Sequence, residues 1–335
     1  MQAAIYGLEG FTLKDDERAF FRDADPAGFI LFRRNCENQD QLLRLTESLR
    51  DIAGRHDVPI LIDQEGGRVA RMRPPEWPAF PTAEKFALLY RTAPSSAIEA
   101  VRANARALAL MLRSAGINVN ALPLLDVRQE GASDIIGDRA LGSEPMQVAA
   151  LGRAVLDGMA SAGVVGIIKH MPGHGRALVD SHHELPIVTA SAEELETDLE
   201  PFERLASAPM GMTAHVVYTA WDEERPASLS PTVIRNIIRE RIGFDGWLMS
   251  DDIGMEALKG DFASRASGVV AAGCDVALHC SGMMDEMVAV ASAVPAMSAE
   301  GHERLNRAIA ATRIDVESVD FAEEIAKRDQ LLALA

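Results

Sequence analysis

The chain has 335 residues, 33 Lys+Arg against 50 Asp+Glu, for a formal net charge of −17, with 48% hydrophobic and 25% charged residues. This is a globular composition with enough length for one large domain or two ordinary ones, and the acidic surplus repels phosphate backbones, which argues against nucleic-acid binding. No apolar run approaches the roughly 18–20 residues of a membrane span, MQAAIYGLEG lacks a basic-then-apolar leader, and three cysteines without CxxC spacing suit a reducing cytoplasm.

Short apolar runs recur along the chain at Ala3–Tyr6, Ala27–Phe32, Pro59–Ile62, Ile117–Leu122, Val164–Lys169, Met210–Thr213, Trp247–Ser250 and Cys274–His279. Continuous apolar runs of this length suit strands buried on both faces of a parallel sheet. Helical signals lie between them. Thr12 with Asp15 reads as a capping signal ahead of Phe20 and Phe21. Leu42, Leu45, Leu49 and Ile52 form one apolar stripe, Ser96–Ser114 ends at Gly116, and Ser230-Pro231 opens a further helix. Eight such units predict an α/β chain folded as a single (β/α)8 barrel with long loops, one domain over 1–335. A doubly wound open sheet is the competitor, weakened by the lack of a GxGxxG after any strand.

Residues able to do chemistry follow the apolar runs: Asp63, Lys169 with His170, His215, and Asp251. In a barrel these positions fall on the C-terminal rim, although an acid after a strand is often only a helix cap. Four of the eight histidines fall within 170–183. That segment is open to three readings: a polar surface loop, a zinc site drawing on His170, His174 and His182, or an acid/base pair in which Asp180 orients His182. The first strand carries no His-x-His, so the metal reading lacks its other half. In Asp63-Gln64-Glu65-Gly66-Gly67-Arg68-Val69-Ala70-Arg71, two glycines behind acids allow close backbone approach to a ligand. Of the paired acids Asp251-Asp252, one is expected to work and the other to be engaged elsewhere.

DQEGGRVAR at 63–71, IIGDRAL at 135–141, KHMPGHG at 169–175, DSHHELP at 180–186, MTAHVVY at 212–218 and SDDIGM at 250–255 stand in the order of the motifs of glycoside hydrolase family 3. The chain resembles its single-domain bacterial β-N-acetylhexosaminidases most strongly over 27–280. Met171 stands where that family usually has Phe, and Ala121-Leu122-Pro123-Leu124 is less aromatic than its counterpart. The resemblance implies a retaining mechanism with Asp251 as nucleophile, His182 as acid/base and Asp180 as its partner. Asp63, Arg71, Arg139, Lys169 and His170 would then grip the terminal sugar.

By the same resemblance the substrate is a GlcNAc-terminated, β-1,4-linked anhydro-muropeptide. The process is cell-wall recycling in the cytoplasm, by a monomer with no cofactor, no metal and no nucleic-acid or membrane partner. A β-glucosidase of the same family, a metal-dependent hydrolase and a non-catalytic sugar-binding protein are the rival expectations.

Overall fold

The computed structural model describes residues 1–310, 312–313 and 320–334. Eight strands form a closed barrel: β1 (Gln2–Tyr6), β2 (Pro26–Leu31), β3 (Ile60–Ile62), β4 (Val119–Asn120), β5 (Val165–Met171), β7 (Met210–Thr213), β9 (Trp247–Asp252) and β10 (Val276–His279). All neighbours are parallel, and β10 returns to β1 through Ala4↔Ala277 and Tyr6↔His279. Each strand coincides with one of the eight apolar runs. Covered by the core on one side and helices on the other, these strands have no solvated face for polar residues to occupy. β6 (Ile187–Val188) and β8 (Val217–Tyr218) pair with each other outside the barrel.

The helices α1 (Asp15–Ala24), α2 (Gln39–Ala53), α3 (Ala83–Thr92), α4 (Pro94–Ser114), α5 (Pro145–Ala160), α6 (Ala192–Arg204), α7 (Phe262–Ala272) and α8 (Met284–Ala293) alternate with the strands. A π-helical stretch at Val233–Arg241 fills the place between β7 and β9. In α2 the stripe faces inward, with Leu42, Leu45 and Leu49 buried; each contributes about 1.5–3 kcal/mol by leaving water. The Asn38 side chain caps its start by accepting from Gln41 N, and Gly54 at φ +61° ends it. At α1 the expected cap is displaced: Lys14, not Thr12, precedes the first turn, and Glu17 Oε2 accepts from its backbone N–H. Ser230 does cap the next helical segment, its Oγ accepting from Val233 N.

Two further helices, α9 (Ala299–Ala310) and α10 (Phe321–Leu332), lie beyond the last barrel unit. Arg304 of α9 grips Asp275 and Asp245. α10 docks on α4 through buried Arg328, which donates to Asn104 Oδ1 and lies over the Phe80 ring, and through Glu324 on Arg106. Among the described residues no helix is long and apolar enough to cross a membrane.

Candidate active site

The loops after β3, β4 and β5 and the ends of β5 and β9 enclose a cavity of about 430 Å3 on the C-terminal rim. Asp63, Arg71, Arg139, Lys169, His170, His182 and Asp251 all line it. Asp180 stands behind His182, so the eight residues given roles by the family resemblance gather at this mouth.

Asp63 follows the last residue of β3 and is clasped by Arg71 (3.0 Å) and Lys169 (3.4 Å). Gln64 sets this geometry. Its Oε1 accepts from Arg71 N and Met72 N while its Nε2 donates to Met72 O, folding the chain back on itself. The two glycines do allow a close approach, but to the chain itself rather than to a ligand. A Cβ on Gly66, at φ +107°, would stand 2.3 Å from Pro81 O.

Glu65, not singled out in the sequence, is the hub of the cationic cluster. Arg139 grips it with a fork of 2.8 and 2.9 Å and Lys169 reaches it at 2.7 Å. Burial raises its carboxyl, but Lys169 and Arg139 outweigh that and bring it down to about 2. Asp63 is likewise held below the usual range, Lys169 and Arg71 overcoming burial.

Asp126 was also missed. It closes the apolar run after β4 and is fully buried. Its Oδ2 pairs with His170 Nδ1 at 2.8 Å, and its Oδ1 accepts from the backbone N–H groups of His170 and His174. Against burial, these contacts bring it down to about 2.

Asp251 projects into the cavity from the end of β9, one residue past the Thr213↔Ser250 pair. Burial pushes its carboxyl up, and the charges of His170 and His215 more than reverse that, leaving it below the ordinary range. Lys169 and Arg139 line the same cavity but are committed to Glu65 and Asp63. Its Oδ1 accepts from Asp252 N (2.8 Å), and Oδ2 has no hydrogen-bond partner among the described residues. Asp252 is the engaged member of the pair. Its Oδ1 accepts from Gly254 N and Cys280 N, and burial with the adjacent Asp251 charge raises it to about 6. His215, buried below, accepts or donates at Ser228 Oγ and pairs with Asp252 O.

The loop after β5 has two halves. Its first half is fixed: Gly175 O accepts from Gln129 N, Ala177 O from Ser133 N, and Gly173 O from Tyr218 Oη. Gly175 is there for contact and not for mobility, since its Cβ would fall 1.9 Å from Val127 O. The second half carries the Asp180–His182 pair, with Nδ1 of His182 2.8 Å from Asp180 Oδ1. The three histidines of the metal reading are each held by another group: His170 by Asp126, His174 by Ser181 and His182 by Asp180. Among the described residues no group of three or more His, Cys, Asp or Glu is placed to hold a metal ion.

A barrel rim that gathers an ionised carboxylate, a histidine–aspartate pair and a clamp of charged donors offers the groups that glycoside hydrolysis needs. Residues 3–314 match the glycosyl hydrolase family 3 N terminal domain, and the chain belongs to that family. It is 35% identical to a beta-hexosaminidase of Bordetella avium over 96% of this chain and 93% of that one. A beta-hexosaminidase of Methylococcus capsulatus is 38% identical over 83% of this chain and 82% of its own. Among solved structures, NagZ from Neisseria gonorrhoeae in complex with N-trifluoroacetyl-D-glucosamine superposes with a TM-score of 0.86 at 30% identity, covering 100% of this chain and 98% of that one. The enzyme is thus a family 3 glycoside hydrolase of the β-hexosaminidase type.

Proposed function

We propose that the enzyme removes a terminal β-linked N-acetylglucosamine by a retaining mechanism through a covalent glycosyl-Asp251. The observation that carries this is the state of Asp251. Asp63 is spent on Arg71 and Lys169, Glu65 on Arg139 and Lys169 and Asp126 on two histidines, while Asp252, whose Oδ1 accepts from two backbone N–H groups, is raised instead of lowered. Among the described residues that line the cavity, Asp251 alone combines depression below the ordinary range with an oxygen that has no hydrogen-bond partner.

In the first step an Asp251 oxygen bonds to the anomeric carbon as the bond to the aglycone oxygen breaks, and His182 passes its proton to that oxygen. In the second, the now neutral imidazole takes a proton from water, whose oxygen displaces Asp251 and restores the β configuration. Asp180 fixes which ring nitrogen of His182 faces the substrate. Asp63, Arg71, Lys169, His170 and Arg139 hold the sugar hydroxyls through contacts that tighten as the ring distorts. A cavity of this size, at the small end of the roughly 300–1,000 Å3 typical of ligand pockets, suits one terminal sugar rather than a long glycan. The glucosamine derivative in the Neisseria structure supports an N-acyl sugar as its occupant. With the family resemblance, this favours a short GlcNAc-terminated cell-wall fragment, processed in the cytoplasm during recycling.

A 5-fluoro N-acetylglucosaminide is expected to trap the wild type, with the label recovered on Asp251 by peptide mass spectrometry. Asp251→Ala should stay folded and lose turnover. Label on Asp63 or Asp252 would sink the assignment. Equal activity on paired aryl β-N-acetylglucosaminide and β-glucoside would remove the N-acetyl specificity.

A further inference from the structure

We propose that His174 is a positioning residue that holds the His182 segment over the cavity through a latch with Ser181. The argument rests on the reading of His182 as proton donor and begins from how its loop is tied down. Backbone hydrogen bonds pin the chain through Ala177 on one side, and Val217 N on Pro186 O pins it again on the other. Between them, Leu178 is 71% exposed and the side chains of His182 and His183 are 57% and 79% exposed. The hydrogen bonds that Asp180 accepts from His182, His183 and Glu184 are all local, so they shape the turn without fastening it to the barrel.

Ser181 is the exception. It is 3% exposed, the only buried residue of 178–185, and its Oγ lies 3.1 Å from His174 Nε2. His174 belongs to the fixed half of the loop. Its backbone N–H is held by Asp126 Oδ1 at 2.7 Å, the same carboxylate that holds His170. The imidazole is buried and its Nδ1 has no partner among the described residues, so the bond to Ser181 is the one hydrogen bond its ring makes among them. Burial and the His170 charge bring it down to about 4, which leaves it neutral near pH 7. A buried imidazole with a single hydrogen bond strongly disfavours losing it. That preference draws Ser181 inward and sets its neighbour His182 at the cavity wall. Asp126 thereby ties the sugar-facing His170 and the proton-carrying loop to one anchor.

The test compares Ser181→Ala, His174→Gln, His174→Asn and His182→Ala. Two readouts are used: amide hydrogen exchange of 178–185, and kcat/KM across aryl β-N-acetylglucosaminides of graded leaving group. Positioned proton transfer is worth about 10²–10⁴-fold, so Ser181→Ala should lose at least about tenfold on the poorest leaving groups and little on dinitrophenyl, with faster exchange in 178–185. His174→Gln, whose amide reaches where Nε2 sits, should retain most activity on poor leaving groups; the shorter His174→Asn should behave like Ser181→Ala. Unchanged exchange in Ser181→Ala overturns the latch. A steep leaving-group series for His182→Ala beside a flat one for Ser181→Ala overturns the positioning role alone. A flat series for His182→Ala overturns the proton-donor reading and the positioning role with it.

Discussion

Arg139 illustrates how far single residues were legible. Its position in IIGDRAL marked it as a sugar-binding candidate, but not the partner that occupies it. Its Nε and one terminal nitrogen are committed to Glu65, and the other terminal nitrogen donates to Ile135 O. Nothing in DQEGGRVAR distinguishes Glu65 from Asp63 as the hub, because which acid meets the two cations depends on where the loop after β4 crosses the loop after β3. The consequence is measurable. Arg139→Ala leaves a buried Glu65 carboxylate with Lys169 alone, and breaking a buried pair by removing one partner costs about 3–5 kcal/mol. Denaturant unfolding should show a loss at the low end of that range, since Lys169 remains. Arg313→Ala, on an exposed pair with Asp57, should change stability by less than about 1 kcal/mol. A similar effect for the two would mean that the Glu65 hub is not a buried charge cluster.

At the level of elements, the barrel strands were readable because a strand covered on both faces is mostly apolar, a requirement that depends on no partner, with polar residues such as Asn120, Lys169 and Asp251 at its C-terminal end. Loops obey no such rule. Gly175 sits where the loops after β4 and β5 touch through Gln129 N on Gly175 O. The contact is visible only once 127–133 and 172–177 are brought together. Gly175→Ala would drive a methyl to 1.9 Å from Val127 O, backbone that has no side-chain freedom with which to yield. Overpacking of this kind costs about 1–3 kcal/mol and shifts backbone. The variant should therefore melt lower and lose activity together, the fixed half of the His182 loop having been pushed off its support. Gly10→Ala, with open space around its Cβ, should be silent in both measurements. Activity unchanged in Gly175→Ala would show that the loop needs no such fixed base.

For the whole molecule, the part least legible was the end of the chain: α9 and α10 carry no motif, and they hold on through dispersed contacts such as Arg304 to Asp275 and Arg328 to Asn104. The buried ionisable groups, by contrast, combine into a pH response of the entire fold. His174 and His279 are lowered by burial from 6.5 to about 4. Their unfolded forms therefore bind protons first, and stability is lost as pH falls from 6.5 towards 4. Glu65 and Asp126, brought down to about 2, give stability that is complete above 4.5 and 3.8 and lost as pH falls towards 2. Asp198 and Asp252 work in the opposite sense. Raised mainly by burial from 3.8 to about 6, they bind protons first in the folded state, so they weaken the fold above 6 and cease to do so as pH falls to 3.8. The opposing sets overlap between about pH 6.5 and 4, so wild-type Tm should decline gently there and steeply below. Asp252→Asn isolates one term. Asn can still accept from Gly254 N and Cys280 N, but it carries no charge beside Asp251. A shift of about two units corresponds to about 3 kcal/mol, so the variant should melt above wild type at pH 7.5, with the gap narrowing through pH 6 to 5 and closing near pH 4. A gap that stays constant with pH would mean that Asp252 is not the strained carboxylate of the pair.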